Sequence, residues 1–287
     1  MTNGDDEGAA GARNRTVAVD GETFVYRRFG GTGSETVPPL VLLQHFRGNL
    51  DSWDPALLDV LAADREVIAV DLRGVGESTG RVRDNVTDMA RDTIAFTAAL
   101  GLRQIDVLGF SLGGHIAQEL ALLRPRLVRR LVLAGTAPRG GPDFHNWSDD
   151  LFDTSCLDNP TAETFISLFF SGSTDSVKSA WAYLARAGAR TGDQDSATTL
   201  EVRDAQLQAL MEWAIPDSSK LERLAAITQP TLVACGDNDT MMRTSNSNLL
   251  ADRIPGAQLR IYPDSGHGFL NQYPVAFGEH VRKFLGQ

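Results

Sequence analysis

Val107-Leu-Gly-Phe-Ser-Leu-Gly-Gly-His115 is the most informative stretch of this sequence, because it holds a Gly-x-Ser-x-Gly pattern centred on Ser111. The preceding run, Gln104-Ile-Asp-Val-Leu108, is rich in β-branched and apolar residues and predicts a buried strand. A helix with one apolar face is expected after it, from the helical spacing of Ile116, Leu120 and Leu123. We therefore expect Ser111 at a sharp turn between a strand and a helix.

A turn of this kind has a chemical use. The glycines two residues before and after Ser111 remove side chains that would collide there, so the hydroxyl can stand clear of the sheet. The following helix begins at the same point, and its free N–H groups and positive dipole end favour a developing negative charge. The flanking strand and helix distinguish this pentapeptide from a chance match in a glycine-rich chain. We interpret Ser111 as a candidate nucleophile.

The composition limits the class of protein. Of the 287 residues 42% are hydrophobic, which is ordinary for a globular chain, and the net charge of −10 argues against nucleic acid or an anionic membrane as a partner. The sequence has no apolar run of about 18 residues, so we expect no membrane span. The polar and acidic residues 1–13 lack the features of a signal peptide and are expected to form a disordered tail.

The two cysteines indicate a reducing compartment. The spacing of the residue types that bind metals predicts neither a metal site nor a cofactor. Cys156 and Cys235 are far apart and are expected to be free thiols, so we expect a cytoplasmic protein. The sequence has no Cys-x-x-Cys or His-x-x-x-His spacing, and we expect neither a metal nor a cofactor.

Strand and helix patterns alternate along most of the chain. The predicted strands are 15–20 and 22–29, which form a hairpin, and then 39–43, 65–71, 104–108, 128–134, 229–235 and 258–262. Helices are expected after Ser111 and at 55–63, 86–100, 244–253 and 275–285. This alternation predicts an α/β fold with a mostly parallel sheet and helices on both faces. From about 138 to 224 we expect a helical insertion, since this segment has helical patterns but no convincing buried strand.

Five motifs occur in one order, and each follows the end of a predicted strand. They are Gln44-His45-Phe46, Asp71-x-x-Gly74-x-Gly76-x-Ser78, the turn around Ser111, Gly236-x-x-Asp239, and Ser265-Gly266-His267-Gly268. Through these motifs the chain resembles the α/β-hydrolase fold superfamily over nearly all its length beyond the first residues. The resemblance implies an eight-stranded sheet with a core of residues 14–137 and 225–287. It also implies that residues 138–224 form a helical cap over the active site.

The resemblance also implies a catalytic triad, with Ser111 as nucleophile, His267 as general base and Asp239 as the acid that orients His267. A serine hydroxyl is a weak nucleophile at pH 7, so an imidazole must accept its proton in the transition state. A carboxylate holds that imidazole in the correct tautomer and stabilises its charged form. Asp237 and Asp264 are nearby alternatives, but the spacing of Asp239 from Gly236 fits the family pattern.

The resemblance further implies an oxyanion hole built from two backbone N–H groups. Leu112, directly after the nucleophile, is expected to supply the first. The second comes from the loop after residues 39–43, where the chain departs from the usual His-Gly-x motif. Phe46 is the donor if this strand is aligned without a gap, and Arg47 is the donor if His45 takes the place of the family histidine. We expect Phe46.

Several other polar or aromatic residues are expected to have structural roles. His115 lies one turn past Ser111 and is expected to pack or hydrogen-bond behind it. Asp71 and Arg73 are expected to tie a loop together, and Trp53 to pack a helix onto the sheet. His145, in the predicted insertion, is expected to be a solvated histidine.

The sequence predicts a cofactor-independent serine hydrolase that cleaves a carboxylic ester or a lactone through an acyl-enzyme. Its substrate is expected to be small to medium and largely apolar. Serine at the turn argues against haloalkane dehalogenase and epoxide hydrolase chemistry, which the resemblance would associate with aspartate. Two alternatives stay open: C–C bond hydrolysis or perhydrolysis on the same triad, and a receptor-like protein that binds a ligand with slow turnover. A small-molecule substrate is the only partner expected, and the oligomeric state is not predicted.

Overall fold

The computed structural model describes residues 8–31, 37–143 and 147–286, so the predicted role of His145 lies outside the described residues. In this part of the chain the strands are β1 (Arg15–Val19), β2 (Glu22–Phe29), β3 (Leu40–Leu43), β4 (Val67–Val70), β5 (Ile105–Phe110), β6 (Val128–Ala134), β7 (Thr231–Gly236) and β8 (Gln258–Tyr262). They form one eight-stranded sheet in the order β1-β2-β4-β3-β5-β6-β7-β8. Only the pairs β1–β2 and β2–β4 are antiparallel, which confirms the predicted mostly parallel sheet.

Helices cover both faces of the sheet. They are α1 (Pro55–Leu61), α2 (Val86–Ala99), α3 (Leu112–Leu123), α4 (Asp149–Ser155), α5 (Ala162–Phe169), α6 (Thr174–Ala187), α7 (Leu200–Ala214), α8 (Ser218–Glu222), α9 (Thr244–Arg253), α10 (Phe269–Gln272) and α11 (Pro274–Leu285). One apolar cluster joins the sheet to α2, α3 and α9, and a second joins it to α1 and α11. Within β3, Val41 and Leu43 belong to the first cluster while Leu40 and Leu42 belong to the second. This alternation explains why the strand is apolar throughout.

The segment between β6 and β7 contributes helices α4 to α8 and a 3-10 helix, Arg223–Ala226, and no strand among its described residues. Each of α4 to α8 begins after a residue whose side-chain oxygen accepts a hydrogen bond from the first turn: Ser148, Thr161, Ser173, Thr199 and Asp217. These caps satisfy N–H groups that a helix start leaves without partners. The sequence therefore marks the start of each α-helix from α4 to α8.

The predicted disordered tail of residues 1–13 is corrected at its C-terminal end. Residues Ala9–Gly11 form a 3-10 helix, and the backbone N–H of Ala9 donates to Asp59 Oδ1 of α1 at 2.9 Å. Ala9 and Ala12 are buried in the cluster that includes α1. Composition alone missed this contact because it depends on two small side chains fitting against a distant helix. Residues 1–7 lie outside the described part of the chain.

None of the helices in the described ranges has the length and apolar character needed to cross a lipid bilayer.

Candidate active site

Ser111 lies at the junction of β5 and α3, as the sequence predicts. Its backbone has φ 56° and ψ −116°, a combination that a residue with a side chain rarely adopts and that costs about 1–3 kcal/mol. Hydrogen bonds hold the turn in place: Ser111 N–H donates to the Ala134 carbonyl at 2.9 Å, and Thr136 Oγ1 donates to the Ser111 carbonyl at 2.9 Å. Both partners lie at the end of β6, so the neighbouring strand supports the strained residue.

The glycines around Ser111 are required by close backbone contacts. A Cβ atom at Gly109 would lie 2.2 Å from the Gly113 carbonyl oxygen, and one at Gly113 would lie 2.0 Å from the Leu43 carbonyl oxygen. Real Cβ atoms do not approach backbone atoms this closely, because the van der Waals radii overlap strongly. The Gly-x-Ser-x-Gly pattern therefore allows α3 to start against the end of β3 with Ser111 at the turn.

Asp239 and His267 are hydrogen-bonded to each other in loops at the ends of two neighbouring strands. Asp239 follows β7 and His267 follows β8, and Asp239 Oδ2 lies 2.8 Å from His267 Nδ1. Both side chains are fully buried. Asp239 Oδ1 accepts hydrogen bonds from the backbone N–H groups of Met241 at 2.9 Å and Met242 at 2.8 Å. The two backbone N–H groups therefore hold the carboxylate in position independently of its hydrogen bond to the imidazole.

The two alternative carboxylates have other partners. Asp237 Oδ1 accepts from Asn238 Nδ2 and from the backbone N–H of Ser265. Asp264 accepts from the hydroxyl groups of Ser171 and Ser173, which lower the pKa of its carboxyl group. The structure thus pairs His267 with Asp239, the residue that the spacing from Gly236 favours.

The hydrogen bond from His267 Nδ1 to Asp239 leaves Nε2 as the ring nitrogen that could accept a proton. Because the Asp239 carboxylate can only accept, His267 Nδ1 carries the proton and Nε2 is the lone-pair nitrogen of the neutral ring. Nε2 is buried and has no hydrogen-bond partner among the described residues. The ring packs against Phe110 and Phe169, with centroids 5.0 and 5.2 Å away. Ser111 and His267 line the same cavity.

Phe46 and Leu112 are the two predicted oxyanion donors; Leu112 directly follows Ser111, and Phe46 lines the same cavity. Leu112 is the first residue of α3, so its N–H has no partner within the helix. Phe46 lies in the turn after β3. In the described ranges, neither N–H donates a hydrogen bond. Arg47 differs, because its N–H donates to Gln206 Oε1 at 2.7 Å. Of the two alternatives for the second oxyanion donor, this contact favours Phe46.

His45, the residue that departs from the family motif, braces the Phe46 turn. Its ring Nδ1 lies 2.8 Å from the Phe46 carbonyl oxygen, so Nδ1 donates this bond. Its backbone N–H donates to Gln44 Oε1 at 2.8 Å. Burial lowers the pKa of His45 to about 4, so the ring is neutral at pH 7. A side chain in place of the usual glycine is therefore accommodated as a neutral support.

The other singled-out residues have the structural roles that the sequence predicts. His115 is fully buried, stacks on Trp213 at 5.0 Å, and burial lowers its pKa to about 3. Arg73 pairs with Asp92 through two hydrogen bonds at 2.9 and 3.2 Å, and Asp71 Oδ1 accepts from the Leu50 N–H at 2.9 Å. Trp53 is buried in the cluster that contains α1. Cys156 and Cys235 are free thiols.

The cavity that holds Ser111 and His267 has a volume of about 600 Å³. Its apolar wall comes largely from α5 and α6 and consists of Ala162, Phe165, Leu168, Phe169, Tyr183 and Leu184. Its polar wall includes Arg47, Asn49, Asp51, Asp158, Asn159 and Thr198. Sequence patterns indicated the helices but not which face would line a cavity, and they gave Arg47 no role beyond a possible backbone donor. Among the described residues no group of three or more His, Cys, Asp or Glu side chains is arranged to hold a metal ion.

Comparisons with known proteins agree with this geometry. The profile of the α/β-hydrolase fold matches residues 38–271. An α/β-hydrolase fold protein from Chitinophaga pinensis superimposes with a TM-score of 0.91, with 37% identity over 97% of this chain and 99% of that one. A poly(3-hydroxyalkanoate) depolymerase from Ectopseudomonas oleovorans is 30% identical over 95% of this chain and 92% of its own. Est816, an N-acyl homoserine lactone degrading enzyme, has a TM-score of 0.70 and 26% identity over 94% of this chain and 100% of its own.

Proposed function

The chain belongs to the α/β-hydrolase fold family, and on that basis we propose that it is a serine hydrolase that cleaves a carboxylic ester or a lactone through an acyl-enzyme. The observation that carries the proposal is the buried Asp239–His267 hydrogen bond, which leaves His267 Nε2 without a partner among the described residues. His267 lines the same cavity as Ser111, which lies at the strained turn between β5 and α3. A nucleophile and its base are needed in one cavity, and this arrangement supports the proposed roles of Ser111 and His267.

The reaction follows from the roles of these atoms. Ser111 Oγ attacks the substrate carbonyl while His267 Nε2 accepts its proton, and Asp239 stabilises the resulting imidazolium. The N–H groups of Phe46 and Leu112 donate to the oxyanion of the tetrahedral intermediate. His267 then gives its proton to the leaving alcohol, which breaks the C–O bond and leaves an acyl group on Ser111. A water molecule, deprotonated by His267, attacks this acyl group and releases the acid.

Helices α4 to α8 act in this proposal as the cap over the site, and residues 138–224 are its extent. Side chains of α5 and α6 line the cavity that holds Ser111, which supports the role of this segment as a cap. A cavity of about 600 Å³ with this wall suits a small to medium, largely apolar substrate. The names of two relatives support the bond type, since one degrades a polyester and the other a lactone.

Hydrolysis of p-nitrophenyl butyrate by the wild type and by Ser111→Ala tests the mechanism. We expect kcat to fall by about 10⁴- to 10⁶-fold in the variant, as in other serine triads. Ser247→Ala is the matched control, because Ser247 is buried in α9 and does not line the cavity. A fluorophosphonate should label Ser111 in the wild type, as judged by peptide mass spectrometry. Equal turnover by both proteins, or a label on another serine, would overturn the assignment. Activity on a β-diketone or on peroxide with acetate, but not on esters, would replace the proposed reaction.

A further inference from the structure

Arg47 is a cation on the wall of the Ser111 cavity that lacks an acidic partner. Its guanidinium donates to the Leu157 carbonyl at 2.7 Å, and it forms no ion pair within the described ranges. Arg47 directly follows Phe46, the proposed oxyanion donor, so its Cα lies about 3.8 Å from that of Phe46. A charged group of the substrate could therefore meet Arg47 while the scissile carbonyl sits at Phe46.

The two acids of the same cavity wall, Asp51 and Asp158, are paired with other arginines. Asp158 is paired with Arg203, which also holds Asp204 at 2.7 Å. Asp51 is paired with Arg27 at 2.7 Å. Arg47 is therefore the arginine of the cavity wall that forms no ion pair within the described ranges, although Asp158 and Asp204, two carboxylates that share the single Arg203, attract it from nearby.

Arg47 is held in place at three points besides its own chain. Its N–H donates to Gln206 Oε1 at 2.7 Å, and its carbonyl accepts from Thr198 Oγ1 at 2.5 Å. With the bond to the Leu157 carbonyl, these contacts fix both the backbone, at φ 63°, and one end of the guanidinium. A guanidinium has five N–H donors in a planar fork, so most of them stay available for a ligand. The fork is thus oriented before a ligand binds, which reduces the entropy lost on binding.

Partial burial of Arg47 strengthens its preference for an anionic ligand. Desolvation by burial, with the nearby charge of Arg203, lowers the pKa of Arg47. The same exclusion of water strengthens its attraction for an anion, because the effective dielectric constant is lower than in bulk water. A carboxylate matches the fork geometrically, since its two oxygens can accept two parallel N–H bonds.

We propose that the enzyme prefers an ester or lactone whose apolar chain carries a carboxylate, and that Arg47 is the residue that recognises this carboxylate. The inference rests on the proposed function, because it places the anion in the cavity of Ser111. The apolar wall of α5 and α6 receives the chain, and Arg47 receives its charged end. Arg47 acts through substrate binding and takes no part in proton transfer.

A pair of matched esters tests the preference. The wild type should hydrolyse p-nitrophenyl hydrogen adipate with a lower KM than p-nitrophenyl methyl adipate, which differs only in a methyl group that removes the charge. In Arg47→Gln we expect KM for the charged ester to rise about 10- to 100-fold, as for loss of a charged hydrogen bond. The KM for the neutral ester should rise much less than the KM for the charged ester, because the neutral ester has no carboxylate for Arg47 to bind. Arg47→Lys should recover part of the affinity, because it keeps the charge but loses the fork. Arg83→Gln, at an arginine outside the cavity, is the control.

The outcomes separate this inference from the proposed function. Hydrolysis of both esters by the wild type with equal kcat/KM would overturn the carboxylate preference and leave the serine hydrolase intact. Equal KM effects of Arg47→Gln on the two esters would also overturn it. A binding measurement tests the role of Arg47 even if the protein shows no turnover. In calorimetric titrations, hydrogen methyl adipate should bind to Ser111→Ala at least 10-fold more tightly than to Ser111→Ala/Arg47→Gln. No difference in that titration would refute the role of Arg47 whatever the turnover.

Discussion

Replacing Asp239 with asparagine tests whether the hydrogen bond to His267 controls the proton on that ring. Asp239 uses its two oxygens differently: Oδ1 accepts from the N–H groups of Met241 and Met242 at 2.9 and 2.8 Å, and Oδ2 accepts from His267 Nδ1 at 2.8 Å. Asparagine keeps the shape of the side chain but has one acceptor oxygen and one NH₂ donor. The substitution therefore forces a choice of which end meets the imidazole.

The backbone makes that choice. If the NH₂ group faced Met241 and Met242, two buried N–H groups would lose their acceptor, at about 1–3 kcal/mol each. The carbonyl oxygen is therefore expected to face these two N–H groups, and the NH₂ group to face His267. Nδ1 must then accept, which moves the ring proton to Nε2. In that tautomer His267 cannot accept the proton of Ser111.

The expected loss is large in kcat and small in KM. The corresponding change in another serine triad lowers kcat by about 10⁴-fold, and we expect a fall of about 10³- to 10⁴-fold here. At 1.36 kcal/mol for each factor of ten, this is roughly 4 to 5.5 kcal/mol of transition-state stabilisation. Asp239 does not line the substrate cavity, so KM should change by less than about threefold.

Steady-state kinetics with p-nitrophenyl butyrate, with the fold checked by circular dichroism, give the measurement. Asp237→Asn and Asp264→Asn are matched controls, since both are carboxylates in the neighbouring loops that do not contact His267. These controls should retain kcat within a few-fold. The reasoning is refuted if folded Asp239→Asn keeps more than a tenth of wild-type kcat. It is also refuted if Asp237→Asn is equally impaired, because the orienting acid would then be a different residue.

Two further predictions concern stability. Gly113→Ala should lower the free energy of unfolding by about 1–3 kcal/mol or more, because its Cβ would lie 2.0 Å from the Leu43 carbonyl oxygen; Gly172→Ala, where no atom lies within 4 Å, should change it little. Chemical denaturation measures both, and equal effects would contradict the close contact at the turn. Burial and the neighbouring Asp195 carboxyl raise the pKa of Asp71 well above its usual value. The stability that this group contributes in its protonated form is present below about pH 4 and falls as the pH rises through the raised pKa, so Asp71→Asn should gain stability relative to the wild type as the pH rises above about 4. A stability difference that does not vary with pH would contradict this reasoning.

Sequence patterns predicted the features of the site that depend on local chemistry. The turn at Ser111 needs two glycines and a strand that ends just before it, and all of these are adjacent in the chain. The structure extends the predicted strand 104–108 to Phe110, so that it ends directly at Ser111. The family resemblance favours Asp239 over its neighbours through its spacing from Gly236, and the hydrogen bond to His267 agrees with that choice.

Features that depend on distant contacts could not be read from the sequence. Phe46 is favoured over Arg47 as the second oxyanion donor because the Arg47 N–H donates to Gln206, which is 159 residues away along the chain. Amphipathic patterns indicated helices in the insertion, but a helix between a core and a cavity has apolar residues on both sides. The pattern therefore could not show that Phe165 and Tyr183 reach the cavity of Ser111.

The insertion lines the cavity and also holds the turn after β3, which carries the proposed second oxyanion donor. All three residues that hold Arg47 belong to the segment between β6 and β7: Leu157, Thr198 and Gln206. Of these, Gln206 Oε1 accepts a hydrogen bond from the Arg47 N–H, the alternative to Phe46 as the second oxyanion donor. Ser111, Asp239 and His267 lie at the ends of sheet strands, with Phe169 of the insertion packed against the His267 ring, whereas Arg47 is held by side chains and backbone of the insertion. We therefore expect substitutions within residues 138–224 to change both the rate and the substrate preference while Ser111, Asp239 and His267 stay unchanged.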